Sequence, residues 1–445
     1  MSNQLFHHAL YIVESACKGC THCMKRCPTQ AIRIAKGKAR IDNDLCIECG
    51  QCMAVCPNNA IAIEQDSLSQ LEAFSTRVAI VPAVFFAQFD DSVTLSHICG
   101  ALYALGFTHL YLAETGVDIL GVLEAEDQST TLPLISNFCP SVQRLIQVRF
   151  PLLVNNLSTL RSPAQVTALF ARSELKALFE GLGIFYFSPC AAKIAQFKTE
   201  GSEEHRLFDG IINFDTAYNL VCAYIAKHKG DADQKQHTFS FPDCTRKALR
   251  WSLVKGQSSH HTGRCLAVDE MHNVIEFLEI LEDEQDTNLQ FLELDACAEG
   301  CVGGILTVRN RFLATERIRH WSSTVPKQLS QDLCERIIEQ KQAFLKNLNL
   351  EPVQALHVLG LDTDHSKALQ KLRKAERILA YLPGIDCGLC GSPSCKALSE
   401  DIAKSQASIR QCAVLKLKSA KDLNSLARIW GERSTTADGL QDDQA

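Results

Sequence analysis

The chemistry most open to reading in this 445-residue chain lies in its 21 cysteines and their spacing. Cys17-x2-Cys20-x2-Cys23-x3-Cys27-Pro28 recurs 29 positions on as Cys46-x2-Cys49-x2-Cys52-x3-Cys56-Pro57. Thiolates two residues apart can wrap one face of a cube of four irons and four sulfides, and the fourth cysteine of such a run ligates the other cube. The pattern therefore predicts one 4Fe-4S cluster on Cys17, Cys20, Cys23 and Cys56, and a second on Cys46, Cys49, Cys52 and Cys27. Structural zinc also uses Cys-x2-Cys pairs. Two complete runs, each closed by Cys-Pro and followed by Ala-Ile, favour iron and sulfide.

Two further sets are sparser. Cys297-x3-Cys301 sits in a glycine-rich turn, Ala298 to Gly304, after the apolar run Leu289 to Leu294. Two thiols cannot hold a cube alone, and Cys139 and Cys190, each directly after a strand-like segment, are the candidate partners. Near the carboxyl terminus, Cys387-x2-Cys390-x4-Cys395-x16-Cys412 has the turn glycines of another four-thiolate site. A single four-cysteine site is also a zinc format, so zinc stays open there. Cys99, Cys222, Cys244, Cys265 and Cys334 share no close spacing and read as small core residues. The pairs His7-His8 and His260-His261 lack a regular ligand set, and no phosphate loop or dinucleotide fingerprint is visible.

The elements that must position these groups follow from periodicity. Short apolar runs at Val78 to Val84, Tyr111-Leu112, Pro133 to Ser136, Ile184 to Ser188, Gly210 to Phe214 and Leu289 to Leu294 read as strands. Helical patterns alternate with them, including Leu95 to Leu105 stopped by Gly106, and Leu266 to Leu281. This alternation predicts an α/β sheet covered on both faces. In the carboxyl-terminal part, Leu372 to Leu382 reads as an amphipathic helix stopped by Pro383-Gly384, and Ala397 to Cys412 as a helix returning the fourth thiol.

Composition bounds the rest. Hydrophobic residues make up 46% of the chain, enough for a sizeable core, and 45 basic against 51 acidic residues leave a net charge of −6 without a basic, aromatic-laced stretch. Nucleic acid is an unfavoured partner. No apolar run is long enough for a membrane span and no export signal is recognisable, so a cytoplasmic location is expected, where a disulfide framework would not persist. The expected domains are residues 1–75, 76–364 and 365–430, followed by a polar, acidic and disordered tail at 431–445.

The first of these domains resembles a bacterial two-cluster ferredoxin, whose clusters carry electrons. In the second, Cys139-Pro140, Pro189-Cys190-x2-Lys193 and Cys297-x3-Cys301-x-Gly303-Gly304 resemble, in order, the three signature segments of the iron-iron hydrogenase catalytic domain. The resemblance covers residues 1 to about 320. It implies that Cys139, Cys190, Cys297 and Cys301 bind the 4Fe-4S part of a catalytic H-cluster, with Cys301 bridging to a two-iron subcluster. It also implies that Lys193 hydrogen-bonds a cyanide of that subcluster and that Pro82 and Ala83 line its other side. The third domain resembles a small helical 4Fe-4S module of anaerobic electron-transfer proteins.

The departures from the family pattern matter equally. A proton-relaying cysteine normally precedes the first ligand, and here that position is Phe138, whose ring cannot relay a proton. Methionines usual near the cluster are replaced by Ser188 and Asp295, and the glycine run continues as Ile305-Leu306. Glu124 is a loosely aligned candidate for a carboxylate of the usual proton path, with a solvated helix carboxylate as the plainer reading. The pattern resembles a divergent, sensory subgroup of the family. The expectation is a cytoplasmic oxidoreductase interconverting hydrogen with protons and electrons, slowly or as a sensor, with a redox or signalling protein as partner. The alternative is a non-catalytic electron-transfer, scaffold or regulatory protein that lacks the two-iron subcluster.

Overall fold

The 29-residue repeat of the sequence is also a repeat of backbone conformation. In the computed structural model, which describes residues 6–175, 181–199, 207–228, 244–283, 288–356, 361–362 and 364–416, β1 (Leu10–Ile12) pairs antiparallel with β4 (Ile61–Ile63). The hairpin of β2 (Ile32–Ala35) and β3 (Lys38–Ile41) lies between them in sequence. Left-handed backbone occurs at Gly19, Thr21 and Gln30 and again, one period later, at Glu48, Gly50 and Asn59. Four of these six are not glycine, and a side chain in that region is held at some cost. The chain accepts it because each thiol run must curl tightly around its own centre.

Among the described residues, seven parallel strands build the central part. A four-stranded sheet has the order β6 (His109–Leu112), β5 (Thr76–Val81), β8 (Leu182–Ser188), β9 (Gly210–Asn213). A three-stranded sheet has the order β10 (Cys265–Asp269), β11 (Phe291–Asp295), β7 (Leu134–Ile135). All seven residues of β8 are buried, as expected for a parallel strand covered on both faces. Phe85, Phe89, Phe187 and Phe214 fill one side of the sheet, with centroids 5.2 to 5.4 Å from that of Phe85. β5 stops where Pro82 removes an amide donor, and a short helix, Ala83–Phe86, follows.

Two sequence expectations need correction. Leu266 to Leu281 is not one helix: its first part is β10, in parallel register with β11, and Glu270 in left-handed backbone separates it from the helix Met271–Asp283. The apolar spacing of that segment fits both elements, and the free edge of β11 decides between them. Ala397 to Cys412 is not continuous either. The helix Cys395–Ala403 ends before Ser405, again left-handed, and Ser408 caps a separate short turn that delivers Cys412.

The carboxyl-terminal module is helical and rests on the amino-terminal one. Its first helix, His365–Tyr381, buries Ala375 while Ile378 and Leu379 pack with Leu382, Leu398, Cys395 and Cys412 in one apolar cluster. Arg33 then forks onto Asp401 through Nε and Nη2 at 2.6 and 3.1 Å, and the amide of Ile34 donates to Gly391 O at 2.8 Å. The expected tail at 431–445, and residues 417–430, lie outside the described residues. Among the described residues no helix is long and apolar enough to cross a membrane.

Candidate metal centres

The eight thiols of the repeat come together in two groups. Cys17, Cys20, Cys23 and Cys56 line one small cavity with Ile34 and Ala39. Cys27, Cys46, Cys49 and Cys52 line another with Ile41 and Glu48. Backbone amides are already aimed at sulfur: Ala31 N donates to Cys27 Sγ at 3.2 Å, and Ala60 N, one repeat later, to Cys56 Sγ at 3.3 Å. Ala39 N donates to Cys17 Sγ at 3.3 Å. Such donors stabilise thiolate rather than thiol.

The third group is assembled from both parallel sheets. Cys139 follows β7, Cys190 follows β8, and Cys297 and Cys301 follow β11, so three carboxyl ends of strands deliver four sulfurs to one crevice. Cys139 and Cys190 also cap the helices Pro140–Arg149 and Ala191–Lys198, whose amino-terminal dipoles favour negative charge. The turn between Cys297 and Cys301 needs its glycines. Gly300 has φ +77°, and a Cβ there would meet Ser252 O at 2.5 Å; one on Gly304 would meet Pro189 O at 2.6 Å. That second approach seats the Cys301 turn against the Cys190 turn.

Burial and mutual repulsion push the thiols of this group up, Cys139 to about 11 and Cys297 well above the ordinary thiol range. Cys49 and Cys23 rise similarly, to about 12 and about 11, with burial the first cause. Buried thiols that raise one another in this way become thiolates only with a cation among them, as iron in a cluster provides. The donor sets therefore fit 4Fe-4S groups.

Beside Cys301 lies a small cavity lined by Pro82, Glu114, Phe138, Lys193, Trp251 and Ser252. Lys193 is 2% exposed; its Nζ donates to Phe138 O at 3.1 Å and stands 4.0 Å from the centre of the Phe138 ring. A buried ammonium with a carbonyl and a ring as neighbours is matched to an anionic guest. Phe138 meets Trp251 edge-on at 6.0 Å, so the wall where a relay would stand is aromatic. Ser188 donates to Cys190 O at 2.8 Å, a local turn bond. Asp295 is buried, and burial together with the charges of Glu293 and Asp269 raises its carboxyl well above the usual range.

Sequence reasoning missed Glu114. It lies two residues beyond β6, is 2% exposed, and its Oε2 accepts the amide of Ala83 at 2.9 Å while Oε1 accepts the Ser252 hydroxyl at 3.2 Å. Burial raises its carboxyl to about 7, against the hydrogen bonds and the Lys193 charge that lower it. A charged residue just beyond an apolar strand, at the carboxyl edge of a parallel sheet, was the available signal. Glu124, by contrast, is exposed in the turn after the helix Thr115–Val122 and does not line the cavity.

Of the fourth set, Cys390, Cys395 and Cys412 pack in one apolar cluster with Leu382 and Leu398, and Cys387 precedes Cys390 by three residues on the same loop. Asp386 Oδ1 accepts the amide of Cys395 at 2.6 Å and closes the loop. Cys99 and Cys244 are buried, while Cys222, Cys265 and Cys334 are partly exposed.

Comparison with known proteins finds three family matches along the chain. Residues 75–235 match the family of the iron only hydrogenase large subunit, C-terminal domain; residues 9–69 match the 4Fe-4S dicluster domain; residues 382–414 match the FeS family of iron-sulfur cluster segments. The first match contains Cys139 and Cys190 and ends before Cys297 and Cys301. One component of an ion-translocating oxidoreductase complex from Thiobacillus denitrificans is 53% identical over 38 residues, which are 8% of this chain and 20% of that protein. The chain thus spans about a fifth of that relative. An FeFe hydrogenase structure concerned with oxygen inactivation at the H cluster superposes with a TM-score of 0.48 at 15% identity, over 65% of this chain and 98% of that one. A variant FeFe hydrogenase from Chlamydomonas reinhardtii gives 0.47 at 15% identity over the same shares.

Proposed function

We propose, from a chain that joins an iron-only-hydrogenase-type domain to a dicluster and a single-cluster iron-sulfur domain, that it is a slow or hydrogen-sensing hydrogenase. One hydrogen molecule yields two protons and two electrons, reversibly. The observation that carries this reading is the small cavity beside the four thiols, lined by Cys301 and by the buried ammonium of Lys193. A 4Fe-4S cube would be held by Cys139, Cys190, Cys297 and Cys301, and Cys301, which lines both spaces, would bridge to a two-iron subcluster. That subcluster, when bound, supplies the metal chemistry of hydrogen cleavage and formation.

The side chains supply the rest. Lys193 Nζ offers N–H donors to an anionic ligand in the cavity, and Pro82 lines it while Ala83, which does not, holds Glu114 through its amide. Phe138 and Trp251 keep water out. With Phe138 in place of a thiol, protons need another carrier. Glu114 serves, since a carboxyl titrating near 7 can hold a proton on Oε1 or Oε2 and release it again at ambient pH. Phe138 offers no exchangeable group at the position of the usual relay, and slow turnover follows from that.

Electrons have a shorter account. Gly391 of the carboxyl-terminal module lies against Ile34, which lines the Cys17 cavity. Arg144 Nε donates to Cys46 O at 3.0 Å from the helix that Cys139 caps, and Ile47 packs in one apolar cluster with Cys49, Cys139 and Cys297. The four centres form a line: the Cys387 site, the Cys17 site, the Cys46 site, then the catalytic cube.

The test is hydrogen turnover per assembled centre. Fully matured protein should hold about 18 iron atoms, four cubes and a pair, and still turn over far more slowly than efficient hydrogenases. Fast turnover would show that Phe138 does not limit proton supply. Zinc near one equivalent with about 14 iron would remove the carboxyl-terminal cluster from the line.

A further inference from the structure

The outer end of this line is shaped to receive something. Along the helix His365–Tyr381, Lys367, Gln370, Lys374, Arg377 and Tyr381 recur at spacings of three and four, which places them on one face. All five are exposed. Beside the stripe, Ile378 and Leu379 pack on the cluster module itself, and Ala375 is buried. The helix carries Lys367, Lys371, Arg373, Lys374 and Arg377 against a single acid, Glu376. Lys371 is engaged by Asp362 at 2.7 Å. In a chain of net charge −6 this basic stripe is a local reversal of sign.

The stripe runs into uncovered apolar side chains. Tyr381 is 75% exposed, Ile385 59% and Leu389 69%, and all three belong to the segment that carries Cys387 and Cys390. Leu389 stands between those two cysteines. Single exposed apolar residues are ordinary, but three beside two thiols of one centre, flanked by a row of exposed cations, have the composition of an interface core with a charged rim.

From this juxtaposition we propose that the basic stripe and the Cys387–Cys390 loop form the docking surface for a small acidic one-electron carrier protein of the ferredoxin class. Charge complementarity selects the occupant: Lys367, Lys374 and Arg377 attract an acidic surface and repel a basic one, steering encounter, while Tyr381, Ile385 and Leu389 make the dry contact across which the electron passes. One electron leaves the reduced cluster of the carrier, which is oxidised, and enters the Cys387 centre, which is reduced; no proton or bond changes hands. Electron entry rests on the cluster assignment made above, whereas binding does not.

The experiment uses the full-length, cluster-loaded protein with a reduced acidic two-cluster ferredoxin as probe. Association is measured by calorimetry and electron transfer by stopped-flow absorbance at low and high salt. Lys374→Glu with Arg377→Glu should lower the bimolecular rate and the affinity about tenfold or more at low salt, with the difference shrinking in high salt. Leu389→Ser should weaken binding at both salt concentrations. Reduction by dithionite, which needs no docking, should not change in either variant. Iron analysis of each variant reports separately whether the Cys387 centre is filled. Unchanged ferredoxin affinity in the charge-reversed variant overturns the proposal whatever the iron content. So does slowing by Lys18→Glu alone, which would place electron entry at the exposed Cys20 instead.

Discussion

The amino-terminal repeat and the central crevice treat the same ligand chemistry in opposite ways. In the repeat, thiols, helix starts, left-handed residues and amide donors to sulfur recur at one period, and the carboxylate that lines a cavity is Glu48, buried beside Cys46 and Cys49. In the crevice the four thiols come from distant segments, and the surroundings are chemically active: an ammonium, two buried carboxyls with raised pKa, and an aromatic wall where a relay would stand. A site that only conducts needs a cage. A site that handles protons needs a cage and a defined outer shell.

The sharpest way to break that contrast is to remove one sulfur from each region. Cys301→Ser should abolish hydrogen activity entirely, because it takes away a cube ligand and the proposed bridge together. Cys20→Ser should slow electron delivery while leaving the catalytic centre's spectrum unchanged. Full hydrogen activity in Cys301→Ser would mean that the crevice is not the reaction site.

Glu114 tests whether the shell acts. In the matured protein, Glu114→Gln should lower turnover and remove a titration near pH 7 from the rate profile, while cube content stays the same. Metal-free protein gives a second reading. The folded carboxyl titrates at about 7 and the ordinary value is 4.5, so the folded state binds the proton more tightly. Its contribution is therefore fully present below pH 4.5 and is lost as pH rises through about 7. The loss is about 3 kcal/mol by linkage, and Glu114→Gln should abolish it in denaturant titrations at pH 4.5 and 8. The same pH dependence in wild type and variant would assign the titration to another group.

A smaller effect concerns how the conducting regions are joined. Gly391 has φ +87°, and a Cβ there would meet Ile34 O at 2.1 Å. Gly391→Ala should weaken the seating of the carboxyl-terminal module by roughly 1–3 kcal/mol, read as faster proteolysis between the modules and slower electron exchange along the line. Asp401→Asn, which leaves Arg33 a neutral partner, should cost about 1 kcal/mol or less.

How much of this was legible beforehand follows the same division. The repeat was readable because local spacing encodes it: each cluster's ligands lie within one short segment plus one reaching cysteine. The strands leading to Cys139, Cys190 and Cys301 were readable as the apolar runs Pro133 to Ser136, Ile184 to Ser188 and Leu289 to Leu294. Glu114 was legible only as a charged residue beyond an apolar strand; its role was not, because that depends on β5 and β6 being neighbours, which brings it to Ala83 N, and on Ser252 arriving from far along the chain. The helix expected at Leu266 failed for a similar reason, since only the open edge of β11 turns that segment into a strand. Spacing records what is near in the chain, and the outer shell is made of what is near only in space.

The most direct test of the central claim is infrared spectroscopy of anaerobically matured protein. Carbon monoxide and cyanide stretching bands should appear, vanish in Cys301→Ser, and persist in Cys20→Ser. Their absence from protein whose cubes are fully assembled would contradict a hydrogenase-type centre and leave an iron-sulfur electron-transfer or scaffold protein in its place.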